Sequence, residues 1–201
     1  SDVYKRQIMY YQIKKKSTIP KEWFIFNPED FSDTKKLTNL SKKVGVIFFC
    51  NHLNSNNFLK KIEPLLCFCR KRKIKFVIPF SQFWGNKYDP FGMMVEINQK
   101  SKKKNSTKNK HKSYFTVAKV HNLKEAFLAR GLVDLIFLTP VLKTNSYPEK
   151  KPLNRYIFIS LCFFFKEELI FALGGVNYMN IKFIKNKNCL LYTSPSPRDQ
   201  V

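Results

Sequence analysis

Two short apolar runs that stop abruptly constrain this chain most. Leu135–Ser146 reads Leu-Ile-Phe-Leu-Thr-Pro-Val-Leu-Lys-Thr-Asn-Ser, and Ala172–Asn177 reads Ala-Leu-Gly-Gly-Val-Asn. A buried parallel strand has this form when its C-terminal end opens into a ligand loop: continuous apolar residues, then small hydroxyl or glycine residues. Hydroxyls and unhindered backbone N–H groups are what an anion needs, so the pair predicts a phosphate site. In a β/α barrel, the loops after the last two strands are where phosphate is usually held.

The rest of the chain supplies the alternation such a fold requires. Trp23–Phe26, Val44–Cys50, Lys75–Pro79, Phe91–Ile97 and Phe115–Val120 read as strands, rich in β-branched and aromatic residues. Helices are predicted over Asp33–Lys43, Asn57–Lys73 with a kink at Pro64, His121–Gly131 and Arg155–Glu167. Leu135–Val141 and Leu169–Gly174 complete about seven strands. The fold class is therefore α/β, a TIM (β/α)8 barrel, with parallel strands joined by right-handed crossovers. An eighth strand is expected after Asn180–Lys187, where a different-looking tail begins, so the barrel is expected to be incomplete, with its last strand–helix unit missing. Unpaired barrel edges predict low stability. Lys100–Lys112 has no apolar period and reads as a solvated loop in place of a crossover helix.

Residues 1–7 and 190–201 do not read like the rest. The tail Leu-Leu-Tyr-Thr-Ser-Pro-Ser-Pro-Arg-Asp-Gln-Val has two prolines and no lysine, and both ends resemble adapter sequence read as protein. The expected organisation is a non-native or disordered head at 1–7, a barrel over 8–189 and a non-native or disordered tail at 190–201.

Charge and cysteines narrow the partners. The net charge is +23, but 31 of the 37 basic residues are Lys. Proteins that read nucleic acids favour the bidentate guanidinium of Arg, so this excess is read as the codon usage of an AT-rich gene, and nucleic acid is not the expected partner. The 44% hydrophobic content, with 20 Phe, is enough for a core. The five cysteines are odd in number, and Cys67-Phe68-Cys69 lacks the second pair of a zinc site. Buried thiols in a reducing cytoplasm are the expectation. The apolar run Tyr156–Phe165 falls short of the ~20 residues a membrane span needs, so no membrane association is expected.

Four motifs carry a family resemblance. They are Val120-His121-Asn122-Leu123-Lys124-Glu125-Ala126, Asp134-Leu135-Ile136, Thr139-Pro140-Val141-Leu142-Lys143-Thr144-Asn145-Ser146-Tyr147-Pro148 and Ala172-Leu173-Gly174-Gly175. In this order and spacing they resemble thiamine phosphate synthase and its TenI-type relatives, in particular the divergent form whose phosphate loop reads Thr-x-Ser-His-Pro. The likeness covers Phe115 to Asn180 and extends more weakly back to Trp23.

The resemblance implies thiamine biosynthesis. Such enzymes are transferases that couple an aminopyrimidine pyrophosphate to a thiazole phosphate, with Mg²⁺ on the leaving pyrophosphate. It implies phosphorylated small molecules as substrates, Thr144, Ser146, Gly174 and Gly175 on the phosphate, Thr139 in the pocket, and His121 as the catalytic candidate lining the site. A lone His is also a common helix cap. Asp134 is expected to position the sixth strand rather than bind a ligand.

The departures lie in the pyrimidine half. Lys119-Val120 stands where the resemblance has Ser-Thr, and Pro79–Trp84 carries no carboxylate where the family's metal-binding Asn-Asp falls. Gly92-Met93-Met94-Val95 lacks the family's His, and Phe49-Cys50-Asn51-His52 lacks its basic residue. The metal ligands are therefore unknown; Asp89 and Glu96 are the nearest carboxylates. The alternative reading is a TenI-type thiazole tautomerase or a catalytically silent phosphate-binding relative.

Overall fold

The structure is a computed structural model that describes residues 19–26, 31–49, 55–97, 114–144, 149–165, 168–176, 179–184, 189 and 191–192. Residues 1–7, Lys100–Lys112 and Ser146, each assigned a role or character above, lie outside the described residues.

Eight strands form one all-parallel sheet in sequential order. They are β1 (Glu22–Phe26), β2 (Val44–Phe48), β3 (Phe76–Pro79), β4 (Gly92–Met94), β5 (Phe115–Val120), β6 (Leu135–Leu138), β7 (Leu169–Ala172) and β8 (Leu191–Tyr192). The helices are α1 (Phe31–Thr38), α2 (Ser55–Lys61), α3 (Glu63–Lys71), α4 (Gln82–Tyr88), α5 (Leu123–Ala129), α6 (Arg155–Phe164) and α7 (Ile181–Ile184). This is the α/β barrel architecture expected, and it is an incomplete barrel. β8 is a two-residue strand, and no hydrogen-bonded ladder joins it to β1 among the described residues. The difference from expectation is where the eighth strand comes from. Leu191 and Tyr192 belong to the tail set aside as foreign, yet they pair with Phe171 and Ala172 of β7. The open ladder edge of β7 is a template for any extended apolar pair, which is why these two residues serve.

Alternation along the strands sorts the core into three clusters. Trp23, Ile47, Val77, Val117, Phe137 and Phe171 point into the barrel. Phe24, Phe26, Val46, Phe48 and Ile78 point outward from β1–β3 and pack under α1–α4 with Leu37, Leu66 and Trp84. Ala118, Val120, Ile136, Leu138 and Ile170 do the same on the other side, under α5 and α6 with Ala126, Phe158 and Leu161. Strands buried on both faces read as continuous apolar runs, and β6, β7 and most of β5 do so.

Inside the barrel Trp23 is fully buried and meets Phe91, Phe137 and Phe171 at ring centroid distances of 5.5, 6.2 and 6.0 Å. The glycine opposite it in the ladder makes this possible. A Cβ on Gly45 would stand 2.4 Å from Trp23 Cε3, well inside contact distance.

Helix boundaries depart from the periodic pattern for local reasons. The single helix expected over Asn57–Lys73 is two, with Ile62 between α2 and α3. Pro64 has no N–H to donate, so it sits at the start of a helix, where no intrahelical acceptor is needed. Helix α4 was not foreseen, because seven residues that include Gly85 show little apolar period. Ser81 starts it: its side-chain oxygen accepts from Trp84 N at 3.5 Å. Gly85 lets the helix settle on the sheet, since a Cβ there would fall 2.2 Å from Met93 Cε.

Replacing Gly45 with Ala forces the Trp23 ring out of the barrel interior. Urea unfolding should show a loss of about 1–3 kcal/mol, whereas Gly131→Ala, whose Cβ meets nothing within 4 Å, should lose only about 1 kcal/mol, from its positive φ alone.

Candidate functional site at the C-terminal end of the barrel

The loops after β6 and β7 are built against each other. Leu173 N donates to Leu138 O at 2.9 Å, Val141 N to Leu173 O at 3.0 Å, and Leu142 N to Gly174 O at 3.1 Å. Leu153 N reaches Pro140 O at 2.7 Å and ties the start of α6 to the same loop. Gly174 and Gly175 both take positive φ, +91° and +69°. At each, a side chain would also collide: a Cβ on Gly174 would stand 2.9 Å from Pro140 Cβ, and one on Gly175 2.3 Å from Lys143 O. The Gly-Gly pair is thus required by backbone conformation and by close approach to residues 139–143.

The expected residues fall as follows. Thr139 is buried at the end of β6, preceding a cis peptide to Pro140, and its N donates to Val120 O at 3.0 Å. Thr144 is buried at the far end of that loop. Thr139, Thr144, Gly174 and Gly175 therefore occupy one pair of adjoining loops, while Ser146 lies outside the described residues. Among the described residues, the N–H groups of Gly174 and Gly175 have no backbone acceptor, and Gly175 O is held by Asn180 Nδ2 at 2.7 Å.

His121 follows β5 directly and is fixed by a capping box on α5. Asn122 Oδ1 accepts from Glu125 N at 2.9 Å. The Glu125 side chain reaches back: Oε2 accepts from His121 N at 2.8 Å and meets His121 Nδ1 at 2.9 Å. A carboxylate oxygen accepts, so Nδ1 carries the proton and Nε2 is the ring's acceptor when the imidazole is neutral. The helix-start role is therefore realised, and it fixes the ring's orientation.

Asp134 lies at the opposite end of the barrel, before β6. Its Oδ2 accepts from Thr116 N at 2.7 Å, its N donates to Thr116 O, and its carbonyl accepts from Leu169 N. One residue thus ties together the starts of β5, β6 and β7, the positioning role expected of it.

The two carboxylates considered for metal part company. Asp89 ends α4 in the left-handed region at φ 46°, at the N-terminal end of the barrel and away from the loops described. Glu96 follows β4 at the correct end. Around it the ends of β3 and β4 offer Pro79, Phe80, Ser81 and Met94, and the Ser81 hydroxyl is engaged in capping α4. No group of three His, Cys, Asp or Glu that suits a metal ion forms among the described residues. Mg²⁺ wants several hard oxygens in octahedral array, and this donor set does not fit it.

By sequence Lys119 is notable only for standing where the resemblance has Ser-Thr, and the structure gives it more weight. It follows Val117 on the inward face of β5, and its Nζ lies 3.3 Å from the centroid of the Phe49 ring. Burial, with Lys150 adding like-charge repulsion, lowers its pKa to about 8. The signal in the sequence was a charge in a strand that is otherwise apolar toward the barrel.

Comparison with known proteins agrees with this architecture. No family model and no curated protein matches the sequence. Among solved structures, thiamine phosphate pyrophosphorylase from Pyrococcus furiosus superposes with a TM-score of 0.61 at 14% identity, over 87% of this chain and 84% of that one. Thiamine phosphate pyrophosphorylase from Bacteroides thetaiotaomicron gives 0.51 at 14% identity, over 86% and 81%. A structure described as native KDPGal gives 0.52 at 12% identity, over 87% and 81%. At such identities the likeness establishes the fold: an α/β barrel of the kind seen in these proteins. No helix among the described residues is long and apolar enough to cross a membrane.

Between about pH 8 and the ordinary lysine value of about 10.4, the unfolded chain binds a proton that folded Lys119 has released. Stability therefore rises with pH through that window, and below it the protein carries the full cost of the buried charge. Lys119→Met should raise the thermal midpoint at pH 7, by roughly 2–4 °C for each kcal/mol recovered, and flatten that rise. An unchanged midpoint and slope would show that Nζ stays hydrated.

Proposed function

We infer that this barrel binds a phosphorylated small molecule at the loops after β6 and β7, and that it acts as a thiamine phosphate synthase-like transferase. The thiazole phosphate would sit on the Gly174 and Gly175 N–H groups and on the Thr144 hydroxyl, with Ser146 completing the loop and Thr139 and His121 lining the approach. The observation that carries this reading is the juxtaposition of the two loops: the backbone of 139–143 lies so close to the Gly-Gly turn that no side chain fits between them. Two backbone N–H groups without backbone acceptors among the described residues, beside a buried threonine, form the kind of concavity that takes an anion.

A second reading has its own observation. The ends of β3 and β4, where pyrimidine pyrophosphate and its metal would be handled, present Phe80, a capping Ser81 and Met94. That favours a TenI-type tautomerase or a phosphate-binding relative without transferase activity. Among the described residues no donor set there suits Mg²⁺.

Calorimetry with thiazole phosphate tests the shared part of both readings. The chain should bind it, and Thr144→Ala should weaken binding about tenfold or more, the cost of a lost hydrogen bond to a charged group. No binding, or unchanged affinity in the variant, would place the phosphate elsewhere. Thiamine phosphate formation from both substrates with Mg²⁺ then separates the readings: turnover supports the transferase, and binding without turnover supports the second.

A further inference from the structure

We propose that Lys119 is an imine-forming nucleophile, whose ε-amine attacks the carbonyl carbon of a small phosphorylated aldehyde or ketone. The carbonyl part of this inference rests on Lys119 and its surroundings. The phosphorylated part rests on the phosphate reading above.

The placement is that of a reactive amine. Lys119 lies on the inward face of β5 near its C-terminal end, the end of the barrel where the ligand loops gather. Its ladder partner is Phe137 on β6, two residues before Thr139, so it stands beside the first of the two loops. Thr139 N donates to Val120 O and holds that loop against the end of β5.

The surroundings pull the amine two ways. The face of Phe49, 3.3 Å from Nζ, attracts the ammonium form, while desolvation and the like charge of Lys150 disfavour it and prevail, lowering the pKa. No carboxylate pairs with Lys119 among the described residues; the Glu125 carboxylate at the top of β5 is taken by His121 and Asn122. A structural lysine in a barrel would be expected to find an anion or reach solvent. A desolvated site within electrostatic range of a second cation instead brings a lysine's pKa down, to about 8 here, so that far more of the nucleophilic free amine is present than on an exposed lysine.

The step balances without an added oxidant or reductant. The Nζ lone pair forms a bond to the carbonyl carbon while the C=O π pair moves to oxygen, which takes up a proton. The nitrogen loses a proton, and the resulting carbinolamine expels its hydroxyl as water with one further proton, leaving C=N. Amine and carbonyl thus give imine and one water. Protonation of that imine creates an electron sink, so bonds to the adjacent carbon become the ones this chain can break or form.

Reductive trapping on the full chain tests this directly. The probe is dihydroxyacetone phosphate with sodium cyanoborohydride at pH 7, followed by peptide mapping. Lys119 should be modified at least about tenfold faster than exposed lysines such as Lys21, Lys42 and Lys61. Its labelling should level off above about pH 8, with Lys150 as the neighbouring charge, while the exposed lysines keep rising. Labelling of Lys119 at or below the rate of the exposed lysines overturns the proposal. Lys119→Arg keeps the charge and should lose the modification; the mapping of the unaltered protein stands even where a variant does not fold. Unphosphorylated dihydroxyacetone and competing inorganic phosphate separate the two parts. Phosphate protection supports both. Selective labelling by either probe, with no protection, supports the imine and removes the phosphate reading.

Discussion

Trp23 lies at the centre of the barrel interior, and the geometry around it follows from one packing constraint. A parallel sheet of short strands encloses a space that only side chains can fill. Here the space is filled by one indole and several phenyl rings, and Gly45 opposite Trp23 makes the room. The aromatic layer packs Trp23 of β1 against Phe91 just before β4, Phe137 of β6 and Phe171 of β7. Strands of two to six residues would otherwise have little to fix their curvature.

Above that layer the character of the chain changes. Lys119 continues the inward row begun by Phe115 and Val117 and places an amine where an apolar residue would pack. Burial of that charge opposes folding. Active sites commonly carry such costs, since a group held in an unfavourable state is a group prepared to react. The loop pair 139–144 and 173–176 is different: its backbone bonds, its positive φ values and its close contacts support the barrel whether or not a ligand is present. Its glycines would be required by packing alone, so the proposed phosphate site would use a turn that the fold already needs.

Much of the architecture was legible from residue pattern. β6 and β7 are apolar on both faces, and such runs between helical segments leave few folds other than a parallel α/β one. Legibility ended where local chemistry or distant neighbours decided the outcome. Helix α4 has too little apolar period to announce itself and depends on the Ser81 cap and on Gly85 reaching Met93. The use of Leu191 and Tyr192 as β8 could not be read either, because two residues carry no period, and what recruits them is the open edge of β7. In the candidate site, Thr139, Thr144, Gly174 and Gly175 were readable because strand-end chemistry is local. The position of Asp89 was not, since it depends on which end of the barrel a helix terminus reaches.

By itself the sequence determined the alternation of strands and helices, the parallel class, and the two strand ends that meet in the candidate site. Hydrophobic runs and small residues encode these locally, within one element and its turn. Tertiary structure decided which side chains share the barrel interior, that Gly45 makes room for Trp23, that His121 is bound into the start of α5, and that Lys119 faces inward against Phe49 beside Lys150. These depend on residues far apart in the chain. Charge, desolvation and close packing act through space, and only the folded sheet brings those residues within their range.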